Sequence, residues 1–144
     1  MRIAAFGPVQ VAVTATVKSI VRPIVSLDKS KSAKDGAQKM LELKIGSVVV
    51  SDGGKFVGIV TERDLLEKVI AAGKNPANVT LADVMSSPLI TIETSQGLGE
   101  ATSLMLQKNI RRLIATDNGK TVGIFTQRDL QGKVYDIFRS LTEG

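Results

Sequence analysis

VGIVTERDL, residues 57–65, is repeated almost unchanged as VGIFTQRDL at residues 122–130. The shift of 65 residues between the two also aligns residues 17–70 with residues 82–135 without a gap, with identical residues at 17 of the 54 positions. A single fixed shift over that length indicates a tandem duplication, and an internal repeat sets the architecture before any single motif does. The sequence therefore predicts two copies of one small folding unit.

Each copy has the same order of predicted elements. A short extended segment follows a proline (PIVSL and PLITI), and a helix comes next (SAKDGAQKMLELK and GLGEATSLMLQKN), with apolar residues near the helical period. Ser30 and Ser95 predict where these helices begin. Two strands follow (SVVVS and KFVGIV; RLIAT and KTVGIF), joined by DGG or DNG, which are strong hairpin sequences. A second helix (ERDLLEKVIAAG and QRDLQGKVYDIF) ends the copy.

The predicted fold class is α+β, with two β-α-β-β-α repeats that pack sheet to sheet about a pseudo-two-fold axis. A repeat of ~60 residues buries little apolar surface alone, so we expect the second copy to complete the core of the first. Two related clefts are expected where the copies meet, a place that small ligands prefer. The predicted segments are an N-terminal extension (1–16), repeat 1 (17–72), a linker with an Asn-Pro breaker (73–80) and repeat 2 (81–141).

The composition excludes most hydrolytic chemistry. The chain has no cysteine and no histidine, which removes disulfides, thiolate nucleophiles, Ser-His-Asp triads and histidine metal sites. The carboxylates show no spacing that indicates a metal cluster. The net charge of +5 favours an anionic partner. No apolar run reaches the ~20 residues of a membrane helix, and the first residues lack a signal-peptide cleavage site, so we expect a cytoplasmic protein.

The repeated motif ends in a polar corner, where a strand is followed by a helix. Thr61 comes directly after the strand, and Asp64 lies three residues further on, which is the spacing of a helix-capping box with Asp in place of the commoner Glu. Thr126 and Asp129 repeat this arrangement. A helix cap alone explains the pattern. A carboxylate beside a cleft also suits the two hydroxyls of a ribose, because both can donate to it.

A phosphate site is predicted from the second copy. NIRRLIAT places Arg111 and Arg112 at the start of a strand, and the planar guanidinium group matches phosphate better than an ammonium group does. Adjacent arginines are also common on a solvated surface. The equivalent residues of the first copy, Gly46 and Ser47, carry no charge, so the two predicted clefts are unequal.

Together these motifs resemble the cystathionine β-synthase (CBS) domain. The repeated G-I-x-T-x-R-D-L, preceded by KIGSVVVSD or NIRRLIATD, is similar to that family's pattern over roughly residues 17–141, and the tandem resembles a stand-alone CBS pair, or Bateman module. The resemblance implies a regulatory module without catalytic activity or catalytic cofactor. Such a module binds adenosyl compounds, commonly AMP, ADP or ATP and sometimes S-adenosylmethionine. It also implies a flat homodimer.

The resemblance assigns the site residues position by position. The aspartate of the G-h-x-[ST]-x-x-D motif contacts ribose, its threonine lies near ribose or phosphate, residues after the proline line the adenine, and basic residues of the partner repeat bind phosphate. The main cleft then comprises Thr61, Asp64, Leu89, Ile90, Arg111 and Arg112. The second, weaker cleft comprises Ile24, Val25, Gly46, Ser47, Thr126 and Asp129. Arg63 and Arg128, in the first turn of the second helices, are auxiliary candidates.

Three functional hypotheses follow. The first is an adenine-nucleotide sensor that signals to a protein partner by a change of shape or assembly. The second is a nucleic-acid-binding accessory protein, favoured by the basic charge but opposed by scattered lysines and interspersed acids. The third, an enzyme, lacks a readable nucleophile and base. Residues 1–16 alternate enough to predict an added strand at a dimer contact.

Overall fold

The computed structural model describes residues 15–143, which fold as two compact units. The Asp64 unit is Ile24–Leu89. The Asp129 unit consists of residues 90–143 together with residues 15–23, so the first residues of repeat 1 fold with repeat 2. Residues 1–14, on which most of the predicted N-terminal strand falls, lie outside the described residues.

The Asp64 unit is built on one three-stranded sheet. Its elements are β1 Ser26–Asp28, α1 Ala33–Leu43, β2 Ser47–Asp52, β3 Lys55–Thr61, α2 Glu62–Leu65 with a π-helical turn Leu66–Ile70, a 3-10 turn Pro76–Asn78, and α3 Leu81–Val84. β1 lies parallel to β2, with α1 as the crossover, and β2 pairs antiparallel with β3. The tight β2–β3 hairpin places Thr61, the last residue of β3, opposite Ser47, the first residue of β2.

The Asp129 unit repeats this topology. Its elements are a 3-10 turn Val17–Ile20, β4 Thr91–Glu93, α4 Leu98–Lys108, β5 Arg112–Asp117, β6 Lys120–Thr126 and α5 Gln127–Glu143. β4 is parallel to β5 and β5 is antiparallel to β6. The order β-α-β-β-α, predicted from the duplication, is confirmed in both units.

Both predicted hairpins form as two-residue turns. Gly53 and Gly54 have φ values of 57° and 84°, and Asn118 and Gly119 have values of 51° and 81°. Positive φ at both central residues is the requirement of a type I′ turn, which glycine and asparagine meet at low cost. The sequence therefore specifies the strand register locally in each copy.

Each unit has its own apolar core. Met40 and Met105, at equivalent positions of the two repeats, are 4% and 6% exposed, as the helical spacing predicted. The Asp64 unit buries Ala33, Met40, Val48, Val50, Val60, Val69, Val79, Leu81 and Val84. The Asp129 unit buries Val17, Ile20, Ile92, Leu98, Ala101, Met105, Leu113, Ala115, Phe125 and Leu130.

Two predicted helix starts are wrong. The N-cap of α1 is Ser32, which forms a capping box with Asp35, and Ser30 instead donates its backbone N–H to Asp28 Oδ2. The N-cap of α4 is Gly97 rather than Ser95. Several residues that favour caps precede each helix, and the sequence alone did not distinguish among them.

The predicted linker is more ordered than expected. Asn75 caps the 3-10 turn by accepting from the backbone N–H of Ala77 at 3.0 Å. The helix α3, which was not predicted, then begins with a capping box formed by Thr80 and Asp83. Its buried residues Leu81 and Val84 tie it to the core of the Asp64 unit. This places the residues that follow α3 beside β3.

Candidate functional site

The Asp64 corner combines a helix cap with an additional set of contacts. Asp64 Oδ2 accepts from the backbone N–H of Thr61 at 2.9 Å and from Thr61 Oγ1 at 3.1 Å, and the Asp64 N–H donates to Thr61 Oγ1 at 3.2 Å. This capping box confirms the local prediction. The second oxygen, Oδ1, plays no part in the cap. It accepts from Ser86 Oγ at 3.1 Å and pairs with Lys68 Nζ at 3.0 Å.

The glycine of the motif allows Ser86 to reach Asp64. The segment after α3 forms a two-hydrogen-bond bridge to β3, in which Ile59 N donates to Ser86 O at 3.0 Å and Ser86 N donates to Ile59 O at 2.8 Å. A Cβ atom on Gly58 would lie 2.5 Å from Met85 Sδ and 3.0 Å from Ser86 O. Glycine leaves room for this close approach of two backbones, whereas a Cβ would require the Met85 side chain to shift. The approach brings the Ser86 hydroxyl over the carboxylate.

The Asp129 corner has the same cap but a different additional partner. Asp129 Oδ2 accepts from the backbone N–H of Thr126 at 2.9 Å and from Thr126 Oγ1 at 3.1 Å. Its Oδ1 is bound by the guanidinium group of Arg22, with Nε and one terminal nitrogen both 2.6 Å away. The side chain of Asp129 is 8% exposed and that of Arg22 is 70% exposed.

The structure corrects the gapless alignment of the two repeats. Arg22 forms a bridge with Ile124, and Ser86 forms the same bridge with Ile59. Arg22 and Ser86 are therefore equivalent residues, at a shift of 64 residues instead of 65. A Cβ on Gly123 would lie 2.5 Å from Arg22 O, which repeats the close approach seen at Gly58. The second copy thus has one more residue before its proline, and the residue that meets the carboxylate is serine in one copy and arginine in the other.

The predicted phosphate ligands lie at strand starts, as expected. Arg112 begins β5 and is partly buried, and Arg111 before it is exposed. Arg111 O accepts from the backbone N–H of Gln127, so both arginines lie in the same unit as Thr126. In the Asp64 unit, Gly46 O accepts from the N–H of Glu62 in the same way. Gly46 is partly buried and Ser47 is buried.

The remaining candidates are distributed between the two units. Ile24, Val25 and Leu89 belong to the Asp64 unit and Ile90 to the Asp129 unit, and all four are partly buried. The Asp64 unit therefore contains three of the six residues assigned to the main cleft. That all six bind one ligand stays a prediction.

The auxiliary arginines are surface residues. Arg63 is 78% exposed and pairs with Glu67 at 3.1 Å one helical turn away, and Arg128 is exposed. An exposed pair of this type contributes less than about 1 kcal/mol. Exposure to solvent is enough to explain an arginine at each of these two positions.

Three residues at the corners were missed in the sequence. Lys68 lies four residues after Asp64, which is the spacing at which opposite charges pair on a helix. The sequence therefore contained a signal for this contact. Ser86 and Arg22 lie 22 and 107 residues from the carboxylates that they bind, and no local pattern links them.

The Asp129 unit has a shallow depression of about 720 Å³. It lies between β4 and α4 and contains none of the candidate residues. Two of its lining residues, Glu93 and Glu100, are acidic and oppose the binding of an anion.

Among residues 15–143, no helix is both long and apolar enough to cross a membrane.

Comparison with known proteins identifies the fold. The CBS domain family model matches residues 17–71 and again residues 81–136. A CBS-domain-containing protein from Agrobacterium tumefaciens has a similar structure, with a TM-score of 0.78 and 25% identity, over 85% of this chain and 95% of that one.

Two curated proteins show the range of sequence relatives. An uncharacterised protein of Methanopyrus kandleri is 46% identical over 111 residues, which is 76% of this chain and 57% of the relative. The inosine-5′-monophosphate dehydrogenase of Nitrosopumilus maritimus is 36% identical over 107 residues, 73% of this chain but only 21% of the enzyme. The chain thus spans little more than half of one relative and a fifth of the other.

Two β-α-β-β-α repeats, each with a Thr-x-x-Asp corner before its last helix, define a tandem-repeat protein. The chain belongs to the CBS-domain family. A tandem CBS pair is generally a regulatory module that binds adenosine ligands.

Proposed function

We propose that this chain is a non-catalytic sensor of an adenosyl ligand, AMP, ADP or ATP, and that Asp64 binds the ribose hydroxyls. The observation that carries the proposal is the second carboxylate oxygen of Asp64. The residue is 7% exposed, and Oδ1 takes no part in the cap but is held by Ser86, which lies beyond α3, and by Lys68, one turn further along the helix. Family membership supports an adenosyl compound as the ligand class.

A cap alone does not account for this arrangement. The Asp64 unit contains two other capping boxes, Ser32–Asp35 and Thr80–Asp83, whose aspartates are exposed. Those two aspartates make the contacts of the cap itself, whereas Asp64 is buried and its second oxygen contacts Lys68, one helical turn away, and Ser86, beyond α3. Burying a carboxylate costs free energy, and a helix cap does not require it.

The contacts of Oδ1 are of a kind that a ligand can exchange. Ser86 donates through a hydroxyl, which can rotate to another acceptor. Lys68 Nζ also donates to Val84 O at 3.0 Å, so this ammonium group has a second acceptor within the unit. A ribose hydroxyl can therefore replace Ser86 at Oδ1 while Lys68 keeps the charge paired.

The remaining parts of the proposal come from the family. Arg111 and Arg112 are proposed to bind phosphate, S-adenosylmethionine is the alternative ligand, and the chain is proposed to act as a cytoplasmic homodimer that signals to a protein partner by a change of shape or assembly. The charge of +5 supports an anionic ligand.

A thermal-shift panel of AMP, ADP, ATP, S-adenosylmethionine, GTP and a short DNA duplex tests the proposal. An adenosyl ligand at ~100 times its dissociation constant adds about 2.7 kcal/mol to the free energy of unfolding, which raises the Tm measurably. Stabilisation by AMP, ADP or ATP but not by GTP supports it. The absence of a shift with every adenosyl compound, or a shift only with DNA that disappears steeply with salt, would contradict it.

A further inference from the structure

The two Thr/Asp corners differ in the charge of the group that covers the carboxylate. At Asp64 that group is the neutral hydroxyl of Ser86, and at Asp129 it is the cationic side chain of Arg22. The backbones of the two covering residues occupy the same place, since each makes two hydrogen bonds to the middle of the strand that precedes its corner. A single side chain therefore distinguishes the corners at this position.

Arg22 is held so that its side chain remains over Asp129. Arg22 N donates to Ile124 O at 2.8 Å, and Ile124 N donates to Arg22 O at 2.9 Å. Val21, the preceding residue, packs so closely on Gly123 that a Cβ there would lie 2.2 Å from Val21 Cγ1. The Arg22 backbone is thus fixed beside β6, and only its side chain can leave the carboxylate.

A ribose has to displace different groups at the two corners. At Asp64 it replaces one hydrogen bond from the uncharged Ser86 hydroxyl, and the Lys68 ion pair at 3.0 Å stays in place. At Asp129 the guanidinium group of Arg22 lies against Oδ1, with Nε and a terminal nitrogen 2.6 Å away, and Oδ2 is used by Thr126. The Ser86 donor is uncharged and the Arg22 donor is a cation, so displacement at Asp129 also breaks an ion pair to a nearly buried carboxylate, and the ribose competes with a stronger partner there.

Lys133 is not the cation that pairs with Asp129. It lies four residues after Asp129, as Lys68 lies after Asp64, yet in the described part of the chain Asp129 pairs with Arg22. If Arg22 is displaced, the nearly buried carboxylate loses the cation that it is bonded to.

We propose that Arg22 is a specificity-determining residue that closes the Asp129 corner to ribose hydroxyls and leaves the Asp64 corner as the adenosyl site. This inference rests on the proposed function and adds to it the residue that sets how many ligands bind. It concerns the ribose subsite only, so it is independent of where the phosphates lie.

Exchange of the two covering residues tests this assignment. Arg22→Ser gives Asp129 the side chain found at the Asp64 corner, and Ser86→Arg gives Asp64 the opposite. Calorimetric titration with AMP counts the sites per chain. A second titration uses adenosine, which has no phosphate, so that the lost positive charge cannot act through phosphate binding. Arg139→Ser, which removes an exposed arginine paired with Glu143, controls for the change in charge.

We expect one site per chain in the native protein and in Arg139→Ser, and two sites in Arg22→Ser. The second site should gain about tenfold in affinity or more, the factor that corresponds to one charge-assisted contact. It should disappear in Arg22→Ser combined with Asp129→Asn. Ser86→Arg should weaken the native site by a similar factor. Because Arg22→Ser leaves Asp129 without its cation and can impair folding, Ser86→Arg provides the test in a corner where Lys68 remains.

The outcomes separate this inference from the proposed function. One unchanged site in both Arg22→Ser and Ser86→Arg, or two equal sites in the native protein, would overturn the role of Arg22 while adenosyl binding stands. Weaker AMP binding in Arg22→Ser would make Arg22 a ligand-binding residue instead and overturn the assignment. No binding of AMP or adenosine by any of the proteins would overturn both.

Discussion

Ser86 Oγ donates to Asp64 Oδ1 at 3.1 Å across 22 residues of chain, and this contact links the end of α3 to the start of α2. Gly58 favours it, because a Cβ there would lie 3.0 Å from Ser86 O and 2.5 Å from Met85 Sδ. The motif glycine and the motif aspartate thus act on the same residue. The Thr-x-x-Asp sequence is a helix cap, and the glycine leaves room for a further contact to its aspartate.

Replacement of Asp64 by Asn should affect both stability and binding. The change removes the charge that pairs with Lys68 and weakens the cap, which together should cost about 1–3 kcal/mol of unfolding free energy. AMP should bind about tenfold more weakly or worse. Asp83→Asn, which alters an exposed cap in the same unit, should cost about 1 kcal/mol and leave AMP affinity unchanged. Urea unfolding and calorimetry measure both quantities, and equal effects of the two variants on binding would return Asp64 to the role of a cap.

Alanine at the motif glycines should be destabilising to different extents. In Gly123→Ala the new Cβ meets Val21 and the Arg22 carbonyl at 2.2 and 2.5 Å, and backbone cannot move easily, so a loss of about 2–3 kcal/mol is expected. In Gly58→Ala the closest atoms belong to the flexible Met85 side chain, and about 1 kcal/mol is expected.

Gly132→Ala is the matched control for these glycine variants. Gly132 lies within α5, and a Cβ there meets nothing within 4 Å. Alanine in a helix interior should stabilise the protein by about 0.5–1 kcal/mol. Denaturant midpoints rank the three variants. A Gly123→Ala protein as stable as the native one would refute the close approach.

Lys68 should stabilise the Asp64 corner in a way that Lys133 does not stabilise the other. Lys68→Ala removes the ion pair to Asp64 and the hydrogen bond to Val84 O, leaving a nearly buried carboxylate with Ser86 as the partner of Oδ1. We expect a loss of about 1–3 kcal/mol, and less than 1 kcal/mol for Lys133→Ala. Equal losses of unfolding free energy for Lys68→Ala and Lys133→Ala, measured by urea unfolding, would show that the two lysines contribute equally to their corners.

Glu93 should make stability depend on pH in the acid range. Hydrogen bonds from the Thr116 hydroxyl and from the backbone N–H groups of Gly119 and Asn118 lower the pKa of Glu93 below its ordinary value of 4.5. Since the folded pKa is the lower one, this contribution to stability is present above pH 4.5 and is lost as the pH falls through the folded pKa.

Glu93→Gln should therefore be less stable than the native protein at neutral pH, and the difference should shrink as the pH falls below 4.5. Thr116→Val, which removes the hydroxyl donor, should reduce the same acid dependence by raising the pKa of Glu93. Urea unfolding over this pH range provides the measurement. A difference between Glu93→Gln and the native protein that stays constant with pH would contradict the assignment.

The sequence predicted the features that depend on residues close to one another along the chain. The hairpin turns and the Thr61–Asp64 cap depend on spacings of two to four residues, and both formed as expected. Ser86 and Arg22 depend on where a separate segment is placed against the strand, which follows from packing around Gly58 and Gly123. The one-residue difference before the proline was invisible to a gapless comparison, because identities after the proline dominate the alignment. Only the placement in three dimensions showed that serine and arginine are equivalent.

The most direct test of the central claim is a calorimetric comparison of AMP with 2′,3′-dideoxy-AMP, which lacks both ribose hydroxyls, on the native protein and on Asp64→Asn. If Asp64 binds the ribose, loss of the hydroxyls should weaken binding by about tenfold or more in the native protein and by little in Asp64→Asn, so that the two changes are coupled. Equal weakening by dideoxy-AMP in both proteins, or tight binding of dideoxy-AMP by the native protein, would contradict the account.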